Sequence, residues 1–194
     1  FDALNRPESE TAPDGGLVSY VYTGFARNTT RSHVSDDYQP QTDVRTNNVL
    51  DQLVSVIQQN TAKFYHYDAA GNLTAVSEDI DLARAGNVIS MAYDLRGRKI
   101  SMDDPDMGYW SYRYNAFDEL VWQKDAKGQV VTMAYDKLGR MVSRGEVEGI
   151  SSWEYDTAAT GIGKLARAHN PASGHTRTLR YDSLGRLSAE TTSI

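Results

Sequence analysis

One heptad, Tyr-Asp-x-x-Gly-Arg followed by Leu, Met or Lys, limits what this chain can fold into more than any other feature. It stands as YDLRGRK from Tyr93, YDKLGRM from Tyr135 and YDSLGRL from Tyr181. YDAAGNL from Tyr67 is a close relative, and YNAFDEL from Tyr114 is a worn one. YDTAATGIGKL from Tyr155 carries four extra residues before its Gly-Lys-Leu. FDALNRP from Phe1 fits with Asn5 in the glycine place, while YTGFARN from Tyr22 and NNVLDQL from Asn47 fit more loosely. Units therefore start near 1, 22, 47, 67, 93, 114, 135, 155 and 181. Steps of 20–21 residues, some lengthened to 25 or 26, describe tandem structural units with variable loops.

The residues ahead of each tyrosine alternate. Every second one is large and apolar or aromatic: Val18 and Tyr20, Tyr65, Ile89 and Met91, Trp110 and Tyr112, Val131 and Met133, Trp153, Leu179. The residue just before the tyrosine is mixed and tolerates charge, as at His66, Arg113, Glu154 and Arg180. A period of two with one apolar face is a half-buried β-strand. After the tyrosine, the aspartate accepts backbone N–H groups in an Asx turn. The glycine supplies the positive φ of a hairpin with a bulge. A second strand follows, as LTAVS from Leu73, KISM from Lys99, LVWQK from Leu120, MVSRG from Met141 and RLSAE from Arg186. Further turn signals, such as Asp125-Ala126-Lys127-Gly128 and Asn170-Pro171-Ala172-Ser173-Gly174, return the chain to the next strand.

Each repeat is thus two strands and two turns, and residues 1–194 are expected to be a single all-β array, a long antiparallel meander. Arg31–Thr46 reads as a polar loop insertion, and Ser77–Ala85 as a loop able to hold one turn of helix. A single-layer sheet cannot leave Trp110, Tyr112, Trp153 and the tyrosine column in water. It must curl, stack on another sheet or belong to a larger curved wall. The structural residues are expected to be Tyr67, Asp68, Gly71, Tyr93, Asp94, Gly97, Arg98, Tyr114, Tyr135, Asp136, Gly139, Arg140, Tyr155, Asp156, Tyr181, Asp182, Gly185 and Arg186. Arg98, Arg140 and Arg186 are expected to lie over tyrosine rings as cation–π partners.

Composition narrows function. Net charge is -6, which argues against a nucleic-acid binder that relies on a broad basic face. No apolar run is long enough to span a bilayer, and no signal-peptide pattern is present. The chain opens on Phe1 without a methionine, so it is expected to be a piece of a longer protein whose signal lies elsewhere. With no cysteine, disulfides and Cys-ligated metals are excluded. No catalytic site, metal or cofactor is expected. Asp103-Asp104-Pro105-Asp106 sits where other repeats hold turn residues. The aspartate after each tyrosine recurs once per repeat, as turn residues do and catalytic residues do not. Gly161-Ile162-Gly163-Lys164 lacks phosphate-loop spacing, and Leu165 stands where Ser or Thr is needed. His33, His66, His169 and His175 have no histidine partner at zinc spacing. His66 reads as solvated.

These repeats, YDxxGR units about 20 residues apart alternating with DPxG-like turns, resemble the Rhs or YD repeats over nearly the whole chain. That family includes bacterial polymorphic toxins, the B and C components of insecticidal Tc toxin complexes, and animal teneurins. The resemblance implies a curved strip of sheet, an arc of a larger β-shell. Such a shell encloses a toxic C-terminal segment in an exported or cell-surface bacterial protein. The implied partners are the remaining repeats of the parent shell and that enclosed segment, with no nucleic acid and no membrane span. The family's C-terminal Asp-based self-cleavage region has no counterpart in these residues, so autoproteolysis is not carried over. A second reading is a module whose exposed repeat face binds glycan or a cell-surface protein by aromatic stacking.

Overall fold

The computed structural model describes every residue except 14, 24–25, 33–42, 59–60, 80 and 82–85. The chain forms two compact units. The first holds Phe1–Tyr93 with Asp103–Asp106, and the second holds Asp94–Met102 with Met107–Ile194. Among the described residues, the regular structure of both is β-strand.

In the first unit the strands are β1 (Ser9–Thr11), β2 (Leu17–Thr23), β3 (Ala26–Ser32), β4 (Asp43–Asn47), β5 (Leu53–Gln58), β6 (Thr61–Tyr67), β7 (Leu73–Ser77) and β8 (Val88–Tyr93). Each pairs antiparallel with the next in chain order. The second unit begins with β9 (Lys99–Asp104), to which it contributes the first four residues. It continues through β10 (Gly108–Tyr114), β11 (Leu120–Lys124), β12 (Val130–Tyr135), β13 (Met141–Glu146), β14 (Gly149–Tyr155), β15 (Leu165–His169), β16 (Thr176–Tyr181) and β17 (Leu187–Ser193). Here too neighbours in sequence are antiparallel neighbours in the sheet. The expected meander is present, and the expected second strands begin at Leu73, Lys99, Leu120 and Met141 as read from sequence.

Two expectations need correction. Of the supposed loop Arg31–Thr46, Arg31 and Ser32 end β3 and Asp43–Asn47 is a strand paired with β3 and β5. Its polar Asp-Val-Arg-Thr-Asn sequence hides the strand because neither face is strongly apolar. The remainder of that loop, 33–42, lies outside the described residues, as does most of the helix-compatible stretch before Ala85. The loose heptad reading at Tyr22 does not hold, since β2 runs on to Thr23, which pairs directly with Ala26.

Directly paired residues share a face, so the register sorts the side chains. In the second unit Tyr112 is opposite Gln123, which is opposite Val131. Met133 is opposite Arg144, and Arg144 opposite Ser151. Trp153, Ala168 and Arg177 continue the row. Trp110, Tyr112, Val131, Met133, Trp153 and Leu179 therefore lie on one face, as the period of two requires. The other face carries Thr132, Ser143, Ser152, His169 and Thr176, with Tyr109 and Trp122 as aromatic residues. Trp122 sits opposite Arg113, whose guanidinium lies 4.4 Å from its ring centroid. In the first unit Tyr65, Val76 and Ile89 share a face in the same way.

Little of this apolar surface is closed over. Among described residues, the buried apolar side chains are Ala75, Ala166 and Leu179; Trp110, Tyr112, Val131, Met133 and Trp153 are half-buried. The accessible surface is 13153 Å². Two compact bodies sharing this chain's mass would expose about 11,000 Å². Backbone hydrogen bonds and contacts between neighbouring hairpins, more than a shared core, hold the strands together.

Candidate functional site: the turn ladder

The recurrent residues converge on the hairpin turns. In the turn after Tyr93, the Asp94 N–H donates to the Arg98 carbonyl and the Gly97 N–H to the Asp94 carbonyl, both at 3.0 Å. Asp94 Oδ1 accepts the N–H groups of Arg96 and Arg98, at 2.9 and 3.0 Å. Its Oδ2 takes Arg98 Nε at 2.7 Å. One carboxylate thus fixes three donors across a five-residue loop, which is why aspartate stands there. Asp2 with Arg6, Asp136 with Arg140 and Asp182 with Arg186 repeat the same clip. Asn72 takes the arginine's part toward Asp68. Asn48 with Gln52 and Asn115 with Glu119 are the amide versions.

A register shift falls just before or at the tyrosine in these hairpins, as at His66/Tyr67 and Ala134/Tyr135. The extra residue is accommodated because the glycine place is left-handed, with φ between +71° and +88° at Gly71, Gly97, Gly139 and Gly185. Asn5, Asp51 and Asp118 occupy the same place at φ 59°, 59° and 66°. Asparagine and aspartate tolerate this conformation best among non-glycine residues. The unit at Phe1 and the loose fit at Asn47 therefore share the loop geometry of the strong ones.

Successive turns are tied together. The Tyr67 hydroxyl donates to the Leu53 carbonyl, Tyr114 to Lys99, Tyr135 to Leu120 and Tyr181 to Leu165, at 2.7 to 3.0 Å. Tyr22 reaches the Pro7 carbonyl in the same manner. Each acceptor opens the second segment of the preceding hairpin. The arginines reach forward. Arg98 lies 5.1 Å from the Tyr114 ring centroid and Arg140 4.4 Å from that of Tyr155, the expected stacking. Arg6 stands 4.0 Å from Tyr22, and Lys164 5.6 Å from Tyr181. Arg186, with no later tyrosine in the chain, pairs with Asp182 alone among the described contacts. Arg98 also bonds Asp118, and Arg140 bonds Asp156, so each guanidinium serves its own turn and the next.

The electrostatics follow from these contacts. Backbone N–H bonds from Arg98, with help from its guanidinium, hold the Asp94 carboxyl below its usual range. Asp2 and Asp182 are lowered for the same leading reason, the backbone N–H of Arg6 and Arg186. For Asp156 the main cause is Arg140, and for Asp68 it is Asn72. At Asp136 desolvation opposes, but the Arg140 and Leu138 bonds prevail and the carboxyl is lowered. Burial pushes the phenols of Tyr67, Tyr93, Tyr114 and Tyr135 above the ordinary value.

The other chemistry-bearing residues take structural places. The Asp106 N–H donates to Asp104 Oδ1 at 2.8 Å, an Asx turn. Gly161 is buried, and a Cβ there would stand 2.9 Å from a Tyr181 ring carbon; the glycine-rich segment packs on the next tyrosine. His66 is half-buried and contacts Ser77 Oγ at 3.1 Å, where solvation was expected. Its strand partner is Ala75, too small to hold it away from buried Ser77. His169 contacts Thr176 Oγ1, and His33 lies outside the described residues. Among the described residues no group of three or more His, Asp or Glu is placed to hold a metal, and no helix is long and apolar enough to cross a membrane.

Sequence reasoning missed one recurrent position. In six turns the residue before the glycine place is Leu4, Leu50, Phe117, Leu138, Ile162 or Leu184, all exposed large apolar side chains; Ala70 and Arg96 stand there before Gly71 and Gly97. The signal was the apolar half of the variable pair in YDxxGR, passed over because hairpin tips are expected to be polar.

A hairpin array clipped by Asp–Arg turns and laced by tyrosine hydroxyls defines a scaffold of stacked β-repeats. Residues 27–193 match the family model Teneurin YD-shell, and the chain belongs to that YD-repeat family. Among solved structures it is similar to "Crystal Structure of TcdB2-TccC3 without hypervariable C-terminal region", with a TM-score of 0.58 and 14% identity. It is also similar to "Crystal Structure of TcdB2-TccC3-Cdc42", with a TM-score of 0.57 and 15% identity. In both cases all of this chain is covered, but only 14% of the other. At these identities the likeness shows the fold. No curated protein matches the chain.

Proposed function

We propose that this chain is a structural segment of a YD-repeat shell that encloses a polypeptide payload in an exported or surface-displayed bacterial toxin. The observation that carries the reading is the use of the recurrent polar residues. The Asp, Arg and Tyr groups that look chemically able are spent on turns and on ties between turns. The same arrangement recurs hairpin after hairpin, and a broad apolar face is left half-covered. Such a strip makes a wall. The family match and the likeness to TcdB2-TccC3 structures support this role, and the chain's share of those structures fits one stretch of a longer wall. The residue set from Tyr67 to Arg186 named at the outset is proposed to act as framework, with no catalytic member. Its partners are then further repeats and the enclosed segment.

The test uses the parent protein. Its C-terminal segment should resist protease in the intact protein and become cleavable when Asp94, Asp136 and Asp182 are together changed to alanine. Equal cleavage in both would overturn the reading. Saturable binding of this chain on a glycan array would favour the alternative binding module.

A further inference from the structure

The two units differ in charge. Asp94–Met102 with Met107–Ile194 holds 14 lysines and arginines against 11 aspartates and glutamates, a net of +3. Phe1–Tyr93 with Asp103–Asp106 holds 6 against 15, a net of -9, which together with the +3 gives the chain's -6. An asymmetry of this kind points to a charged partner, and the register shows where the positive surplus lies.

Arg113, Lys124, Arg167 and Arg180 all stand on the face of the second unit that carries Thr132, Ser152 and Thr178. From β10 to β17, Glu154 is the one strand acid on that face, and it lies 3.4 Å from Arg167. Arg113, Lys124 and Arg180 hold no carboxylate among the described residues. The turn carboxylates Asp136, Asp156 and Asp182 are held by Arg140 and Arg186. On the opposite face the cations are neutralised in place, Arg144 by Glu146 and Arg177 by Glu190.

The same face carries Tyr109 (56% exposed), Ile150 (62%) and Val130 (36%). Val130 is directly opposite Lys124, and Ile150 is opposite Gly145. Glycine and small hydroxyl residues between them keep the surface low, so the cations, the tyrosine and the aliphatic tips stand out furthest. That combination matches the headgroup region of a bilayer. Cations meet the acidic headgroups, tyrosine sits at the interface, and aliphatic groups reach the acyl boundary. An acidic sugar or a nucleic acid would use the charges but leave Ile150 and Val130 without a role. The Trp122 ring on which it would stack is already covered by Arg113, at 4.4 Å.

We propose that this face docks on an anionic phospholipid surface, peripherally and without a strand entering the bilayer. The inference goes beyond the wall reading and fails separately from it, since a wall can enclose a segment without touching a membrane.

The test is flotation of the chain with vesicles of equimolar phosphatidylserine and phosphatidylcholine. Binding should be at least tenfold stronger than to phosphatidylcholine alone and should weaken as salt rises. Each cation near such a surface contributes about fivefold in affinity, so Arg113→Gln with Lys124→Gln should weaken binding at least tenfold, with unchanged circular dichroism. The chain has no cysteine, so a single thiol carries an environment-sensitive dye cleanly. Dye at Ile150→Cys should shift to the blue on the acidic vesicles, while dye at Gln123→Cys, on the opposite face, should not. Four results overturn the proposal: no binding to acidic vesicles, equal binding to neutral ones, binding untouched by the double variant, or a blue shift at Gln123→Cys alone. Salt-sensitive self-association that the double variant abolishes, without vesicle binding, would assign the face to the acidic unit of a second copy instead.

Discussion

At the residue scale, the clip aspartates and the column tyrosines set opposite pH limits. The lowered carboxyls contribute stability that is present above their unfolded value of 3.8 and is lost as pH falls through their lower folded values. The raised phenols contribute stability that is present below 10.0 and is lost as pH rises through their higher folded values. Denaturant midpoints should therefore be flat from about pH 5 to 9 and fall on both sides. A midpoint that keeps rising below pH 4 would contradict the carboxylate clips. Tyr135→Phe removes only the hydroxyl bond to Leu120 and should cost about 0.5–1.5 kcal/mol, read by urea denaturation. Asn5→Gly relieves a left-handed asparagine at the place that glycine fills in the Gly71, Gly97, Gly139 and Gly185 turns. It should raise stability by up to ~1 kcal/mol, whereas Gly139→Ala at φ +75° should lose about 1–2 kcal/mol.

At the element scale, the hairpin is the unit that the sequence made legible. The heptad and the alternation before each tyrosine located β2, β6 to β14, β16 and β17, because both signals come from local physics: a left-handed glycine, an Asx turn and a one-sided apolar face. Strands β3 and β4 escaped notice because their faces are polar and their connection lacks the heptad. The pairing of each arginine with its own aspartate, four residues back, was also missed. Only stacking on tyrosine rings was foreseen, since a tertiary neighbour was sought before a turn partner. Leu179 tests packing within an element pair. It is one of three buried apolar side chains among the described residues, and Leu179→Ala should cost about 2 kcal/mol, the low end for such truncations because so little surrounds the site. A loss above 4 kcal/mol in thermal or denaturant melts would mean a larger core than the half-buried neighbours indicate.

At the scale of the whole molecule, the half-covered apolar face makes solution behaviour the informative observable. The chain should bind a hydrophobic dye in its native state and associate more strongly as salt or sulfate rises, since both strengthen burial of apolar surface. Absence of dye binding with native circular dichroism would mean the face is already covered. Membership of the YD-shell family was readable from the heptads alone, because the framework residues are the family signature. The apolar tips were not, because exposed leucines at hairpin ends look unremarkable one at a time and gain meaning only from their periodic row.

The guanidinium shared between consecutive turns has a genetic corollary. Because the tie from one hairpin to the next is the same small set of groups each time, a gene can gain or lose a module of about twenty codons without redesigning anything beyond the joint. Variation in length among relatives should thus fall in whole modules, with breakpoints just ahead of the tyrosine codon. Point insertions, by contrast, should gather in the connections that lack the clip.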